Sequence, residues 1–266
     1  MRLTSTHNPV IKYVRSLERA AVRREDGVYI AEGVRLVREA LSAGQTPTLA
    51  LYAPEILQRS PEGSRLLDDL VASSDESHEV DPHVLRAAAQ TEHPTGALTV
   101  LKLPAVRPLD QQREAHFGVI LDTVSDPGNA GTIARTALAA GADFLVSTTN
   151  SVDLYGPKVV RAGMGAHFRL PLYVGIPWNE LRHTLGDTAF VAASAHGEHS
   201  VYHFEWPDHA VLVVGSEAHG LSAEAKRAVQ VRVRIPMKTG VESLNAAIAA
   251  GILIYAARSS SLSSES

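Results

Sequence analysis

Hydrophobic and polar positions along this chain fall into two successive series of short apolar runs and amphipathic stretches. In the first, Asn8 to Arg24 carries Val10, Ile11, Val14, Leu17 and Val22 at a spacing that predicts a helix. A short strand is expected at Val28 to Ala31. A helix follows over Gly33 to Ala43, with Val34, Leu36, Val37, Ala40 and Leu41 inward and Gly44 as its stop. Thr48 to Tyr52 and Ala97 to Leu101 read as strands, Glu62 to Ala72 and Val84 to Gln90 as helices, and Ser73 to Ser77 as a polar loop. Strands alternating with helices predict a small α/β domain over residues 1–103. Pro104 to Ala115 has prolines and charges without periodicity, so residues 104–115 are expected to be a linker.

The second series opens with Phe117 to Leu121, a nearly continuous apolar run of the kind that suits a strand buried on both faces. Further strands are expected at Phe144–Ser147, Leu170–Val174, Ala189–Ala193, Ala210–Val214 and Val231–Ile235, with helices between them. A helix over Leu244 to Ala257 would close an α/β domain with a parallel sheet, residues 116–258. The serine-rich segment 259–266 is expected to be a disordered tail. No internal repeat is present.

Composition narrows the picture. A chain of 266 residues accommodates two ordinary domains. The absence of cysteine excludes disulfides, a thiolate nucleophile and cysteine-ligated zinc. Met1 to Pro9 is polar and lacks a signal-peptide core, and no apolar run reaches bilayer length, so a soluble cytoplasmic protein is expected. The net charge of −4 argues weakly against a nucleic-acid partner. Between Met1 and Arg24, however, Arg2, Lys12, Arg15, Arg19, Arg23 and Arg24 face a single acid, Glu18. A helix so charged suits a phosphate backbone, and a solvated amphipathic helix explains the same pattern equally well.

Candidate chemistry sits at strand ends. After Phe117–Leu121 comes Asp126-Pro127-Gly128-Asn129-Ala130-Gly131-Thr132-Ile133-Ala134-Arg135, read as a turn followed by a small-residue helix from Ile133. Open α/β sheets bind ligands beyond the carboxyl ends of their strands, which places Asn129 and Arg135 at a site. Two later stretches have the same character. Gly215 to Leu221 holds Glu217 between glycines at a strand end, an unusual place for a merely solvated acid. Ile235 to Gly240 leads into Val241 to Asn245, where Ser243 is read as a helix cap or a site residue. Asn245, in the first turn of an apolar helix, needs a partner for its amide. The G-x-G-x-x-G spacing and a Walker lysine are both absent, which disfavours a dinucleotide-dependent dehydrogenase. His196, His199, His203 and His209 cluster in sequence, but Gly197 and Pro207 interrupt them and no carboxylate completes a set. No metal site is therefore expected. His219, inside the second loop, has a better claim to touch substrate.

The stretches D-P-G-N-A-G-T-I-A-R-T, V-V-G-S-E-A-H-G-L-S and I-P-M-K-T-G-V-E-S-L-N resemble the three ordered motifs of the SpoU (TrmH-type) RNA ribose 2′-O-methyltransferases of the SPOUT superfamily. Asn8-Pro9 with Lys12, and Ala31-Glu32-Gly33 with Arg35, are similar to the substrate-binding domain of those enzymes. The chain departs from the usual R-A-S-M-G-A at Gly163, in Arg161-Ala162-Gly163-Met164-Gly165-Ala166.

The resemblance implies an SPOUT domain with a deep trefoil knot, an N-terminal RNA-binding domain and a homodimer whose sites are completed by the partner subunit. It implies methyl transfer from S-adenosylmethionine to a ribose 2′-hydroxyl, without a metal. By resemblance, Asn129, Arg135, Glu217, Ser243 and Asn245 are catalytic. Ser194, Gly215, Ile235, Met237 and Leu244 hold the cofactor, and Lys12, Arg15, Arg23, Arg24 and Arg35 contact RNA. A guanidinium is essentially never deprotonated, so Arg135 is expected to grip a phosphate in bidentate fashion and position the hydroxyl, with that phosphate as a candidate proton acceptor. Glu217 is expected to pair with Asn129 or a loop amide. The separate N-terminal domain favours ribosomal RNA over transfer RNA; a non-catalytic RNA-binding protein of the same fold is the alternative.

Overall fold

The computed structural model describes residues 2–105, 108–112, 115–241 and 243–264. It divides into two compact units, residues 1–105 with 155–168, and residues 106–154 with 169–266.

The first unit follows the order β1 (Arg2–Leu3), α1 (Pro9–Ser16), α2 (Ala20–Asp26), β2 (Val28–Glu32), α3 (Val34–Ser42), β3 (Leu49–Tyr52), α4 (Pro54–Leu57), α5 (Pro61–Ser73), β4 (Ser77–Val80), α6 (Pro82–Ala88) and β5 (Ala97–Lys102). Its five strands form a mixed sheet in the order β1-β4-β3-β5-β2. The helix expected over Asn8–Arg24 is two helices. Asn8 caps the first, accepting from Val10 N–H at 2.9 Å ahead of Pro9, and the chain turns at Leu17–Arg19 before the second begins. Arg23 causes part of that turn to hold: it is buried, and its guanidinium donates to the carbonyls of Leu17 and Glu18 at 2.7 and 2.6 Å. Ser77–Val80, expected partly as loop, is an inner strand between β1 and β3.

The second unit contains β6 (Phe117–Leu121), α7 (Pro127–Ala139), β7 (Phe144–Thr148), β8 (Leu172–Ile176), α9 (Trp178–Leu185), β9 (Ala189–Ala193), β10 (His199–Ser200), β11 (Ala210–Val214), α10 (Ala223–Ala228), β12 (Val231–Arg234) and α11 (Ala246–Ser264); α8 (Pro157–Gly163) belongs with the first unit. Its seven strands are all parallel in the order β10-β12-β9-β11-β6-β7-β8. The central strands β6 and β11 are buried along their whole length, as their continuous apolar runs require. The segment expected as linker is partly structured: Leu109–Gln112 forms a 3₁₀ turn, and buried Leu109 joins the core of this unit. Val106, Arg107, Arg113 and Glu114 lie outside the described residues.

Two helix boundaries differ from expectation at functional positions. The stretch from Pro127 is the first turn of α7, because Asp126 caps it by accepting from Asn129 N–H at 2.7 Å and proline occupies the first helical position. The closing helix starts at Ala246 and runs through Ser264, so residues 259–264 are helical where disorder was expected; Glu265 and Ser266 lie outside the described residues. Serine is a mediocre helix former, but extending a nucleated helix needs little from each residue. Gly163 ends α8, with Met164 in the left-handed capping conformation after it. Among the described residues no helix is long and apolar enough to cross a membrane.

Candidate active site

The carboxyl ends of β6, β9, β11 and β12 lie side by side in the sheet, and the segments leaving them build the site. β6 delivers Asp122, which is 1% exposed. One oxygen of its carboxylate accepts from Trp178 Nε1 at 2.8 Å and from Ser222 Oγ at 3.0 Å, and the other accepts from Ser222 N–H at 2.7 Å. These bonds satisfy a buried acid and fix where the loop after β11 ends. Thr123 beside it has a φ of 58°, a left-handed conformation that a β-branched residue adopts only when its surroundings impose it.

The loop after β11 is closed on itself by two backbone hydrogen bonds between Ser216 and Gly220, at 3.0 and 2.9 Å. Gly215 is needed at its start: a Cβ there would lie 2.5 Å from the carbonyl carbon of Gly220. The loop carries Glu217, and the amide ends of two helices converge on that side chain. Its Oε1 accepts from Asn129 Nδ2 at 3.0 Å, Asn245 Nδ2 at 2.7 Å and Ala246 N–H at 3.0 Å. Asn245 Nδ2 also reaches Asn129 Oδ1 at 2.9 Å. The cluster therefore joins α7, the loop after β11 and the start of α11. Glu217 meets Asn129, as expected for it, while the backbone amide it accepts from is that of Ala246 at the start of α11 and not a loop amide.

Asn245, and not Ser243, is the cap of α11: its Oδ1 accepts from Ala247 N–H at 3.0 Å and Ile248 N–H at 3.2 Å. Ser243 lies just before, exposed, in the wall of a cavity. Glu242 lies outside the described residues.

That cavity, about 510 Å³, is lined by Ser194, Gly215, Ile235, Met237 and Leu244, the five residues expected to hold a cofactor, and also by Glu217 and Ser243. Val214, Leu253 and Ala249 give it apolar walls. Its size falls within the range of about 300–1,000 Å³ that holds small ligands, and the mixture of apolar walls and a few polar groups fits a nucleoside-containing one. Lys226, Arg232 and His196, which the motif reading did not single out, also line it. Lys226 comes from α10, Arg232 from β12 and His196 from the segment after β9, and no local pattern marks their meeting.

Arg135 stands apart from the cluster. It is exposed on α7, and no hydrogen bond or ion pair of its side chain is found among the described residues. The expected RNA-contacting residues divide. Lys12 and Arg15, with Arg19, line an exposed groove on the first unit, and Arg24 and Arg35 are exposed. Arg23 is not available to a partner, since its guanidinium is consumed in holding the turn after α1. Arg2 is likewise engaged, with Asp81 at 2.5 Å. Buried Glu32 of the Ala31-Glu32-Gly33 motif accepts from Gln90 N–H at 2.8 Å and from the Thr91 hydroxyl, fixing the segment that borders the basic groove. Among the described residues no group of three or more His, Cys, Asp or Glu could hold a metal ion.

Comparison with known proteins agrees with this geometry. Residues 116–255 match the SpoU rRNA Methylase family, and residues 8–99 match the MRM3-like substrate binding domain. An uncharacterised tRNA/rRNA methyltransferase of Synechocystis is 33% identical over 96% of this chain and 93% of its own. The 23S rRNA (uridine(2479)-2′-O)-methyltransferase of Streptomyces viridochromogenes is 31% identical over 96% of this chain and 91% of its own. The crystal structure of an AdoMet-bound rRNA methyltransferase from Sinorhizobium meliloti superimposes with a TM-score of 0.83 at 30% identity, covering 98% of both chains. With the family match spanning more than half of its length and its three motifs joined through Asn129, Glu217 and Asn245, the chain belongs to the SpoU rRNA Methylase family.

Proposed function

We propose that this protein is an S-adenosylmethionine-dependent methyltransferase that modifies a ribose 2′-hydroxyl in large-subunit ribosomal RNA, working as a homodimer in the cytoplasm. The observation that carries this reading is the Asn129–Glu217–Asn245 cluster, whose Glu217 stands in the wall of the cofactor-sized cavity. Bound S-adenosylmethionine supplies an electrophilic methyl group on a sulfonium. Gly215, Ile235 and Leu244 hold it through backbone groups, with Ser194 and Met237 lining the same space.

The protein's remaining task is to place a weak nucleophile in line and manage its proton. Asn129 and Asn245 orient the ribose side of the cavity, and Ser243 adds a hydroxyl there. Arg135, exposed and without a partner among the described residues, is set to clamp the phosphate beside the target ribose. Lys12, Arg15, Arg24 and Arg35 supply contacts to the RNA backbone from the first unit. The dimer is supported by α11, which exposes Ile248 at 57%, Ile252 at 37% and Tyr255 at 47% although the helix is apolar nearly all round. The test is incubation with S-adenosylmethionine and unmodified ribosomal RNA, followed by digestion and mass spectrometry of the nucleosides. A 2′-O-methylnucleoside is expected; a base-methylated product would overturn the reading.

A further inference from the structure

Glu217 stands in a wall shared by two cavities. The cofactor cavity lies on one side. The other, about 500 Å³, is bounded by Thr123, Ser125, Asp126 and Asn129 of the segment after β6, and Glu217 and His219 line both. The two oxygens of this carboxylate have unequal surroundings. Oε1 accepts three hydrogen bonds, from Asn129, Asn245 and the Ala246 amide. Oε2 accepts none among the described residues, and the residue is exposed. A carboxylate anchored through one oxygen is fixed in orientation while the other keeps its lone pairs for something that enters.

We propose that Oε2 of Glu217 takes the proton from the ribose 2′-hydroxyl as the methyl group is transferred, with the target ribose entering from the second cavity. The proposal rests on the methyltransferase reading above and adds the acceptor. The hydroxyl O–H bond breaks and its proton passes to Oε2. The freed oxygen pair forms a bond to the methyl carbon of bound S-adenosylmethionine, and the carbon–sulfur pair remains on sulfur, which becomes a neutral thioether. Exposed Glu217 then returns the proton to water.

Other groups in reach are poorer acceptors. The Arg135 guanidinium is donor-only. Asn129 Oδ1 is taken by Asn245, and Asn245 Oδ1 by two amides of α11. Asp126 has one oxygen capping α7 and the other open among the described residues, but it lines the second cavity alone and not the cofactor cavity, and both oxygens of Asp122 are engaged and buried. A phosphate diester held by Arg135 is a far weaker base than a carboxylate. His219, which lines both cavities as Glu217 does, is the titratable competitor that the variants below separate.

Glu217→Gln is the informative change. It preserves an acceptor oxygen for the three donors and presents an amide NH₂ where Oε2 stood. Affinity for S-adenosylhomocysteine is read by calorimetry, and single-turnover methyl transfer to ribosomal RNA is read across the acid-to-neutral pH range. Unchanged affinity is expected, with a rate lowered by about 10²–10⁴-fold, the usual worth of a general base, and with the acid limb of the pH profile lost. Glu217→Ala should regain part of its rate when formate is added, an effect that a purely structural carboxylate would not show. A Gln variant with near-normal turnover, a rate that falls only in step with cofactor affinity, or an acid limb lost in His219→Gln and kept in Glu217→Gln would each overturn the proposal. If the wild type itself transferred no methyl group, the methyltransferase reading would fail and the proposal with it; a wild type that is active beside an undiminished Gln variant removes the proposal alone.

Discussion

Replacing Asn245 by aspartate would keep one of its duties and reverse the other. The cap of α11 would survive, because an aspartate oxygen receives the Ala247 and Ile248 amides as well as an asparagine oxygen does. The donor facing Glu217 Oε1 at 2.7 Å and Asn129 Oδ1 at 2.9 Å would become an oxygen. The two lost hydrogen bonds account for about 0.5–1.5 kcal/mol each. Two carboxylates about 4 Å apart repel by about 1 kcal/mol in bulk water and about 4 kcal/mol near a protein surface, and the exposure of both residues favours the lower figure. The sum is about 2–4 kcal/mol, or a fall of several degrees in melting temperature at about 2–4 °C per kcal/mol for a chain of this size. Asn245→Ala loses the same donor and the cap as well, adding about 0.5–2 kcal/mol, but introduces no charge. The variants separate by pH. Crowding two carboxylates raises the affinity of the pair for a proton in the folded state above that in the unfolded chain. Such a group stabilises below its unfolded pKa and loses that contribution as pH rises through the folded value. The deficit of Asn245→Asp should therefore shrink on acidification, while that of Asn245→Ala stays level. Calorimetric melting of both variants at neutral and acid pH reads this directly. Deficits that run parallel at every pH would refute the contact between Asn245 and Glu217.

Three further outcomes follow from the same geometry. Gly215→Ala, which drives a methyl group against Gly220, should weaken S-adenosylhomocysteine binding by more than about tenfold, equivalent to about 1.4 kcal/mol, in a calorimetric titration; wild-type affinity would mean that the loop yields freely. Arg23→Ala should lower the melting temperature without changing the salt dependence of RNA binding, whereas Arg15→Ala should reduce the slope of log affinity against log salt by about one. Equal slopes for the two would contradict the division of the basic residues. Ile252→Glu on the exposed face of α11 should convert the proposed dimer to monomer in light scattering, and a dimer that persists would place the interface elsewhere.

The central strands of the second unit were legible because their burial writes itself as continuous apolar runs: Ala189–Ala193 and Ala210–Val214 agree to the residue with β9 and β11, whereas the short edge strand β10, with no such run, was not anticipated. The meeting of three motifs in one hydrogen-bonded cluster was legible only through the family resemblance, since neither Asn129, Glu217 nor Asn245 announces its partners over such sequence distances. Other features were hidden for identifiable reasons. Charge counting shows that Arg23 is basic but not that its guanidinium points at two carbonyls of its own chain. The polar sequence of Ser77–Val80 gives no strand period, and its pairing with β1 and β3 decides its state. The apolar sequence of α11 reads as burial all round, yet one side of the helix is open. The Asp126-Pro127 pair, in contrast, carries a capping signal that places the start of α7 six residues earlier than the apolar pattern does.

The central claim is that this chain methylates ribosomal RNA through the cluster centred on Asn129. It is tested most directly by radiolabelled methyl transfer from S-adenosylmethionine to total RNA lacking modification, with wild type and Asn129→Ala compared and the RNA separated by size. Label in large ribosomal RNA, lost in the variant, is the predicted result. Label confined to transfer RNA would contradict the substrate, and equal labelling by the two proteins would contradict the site.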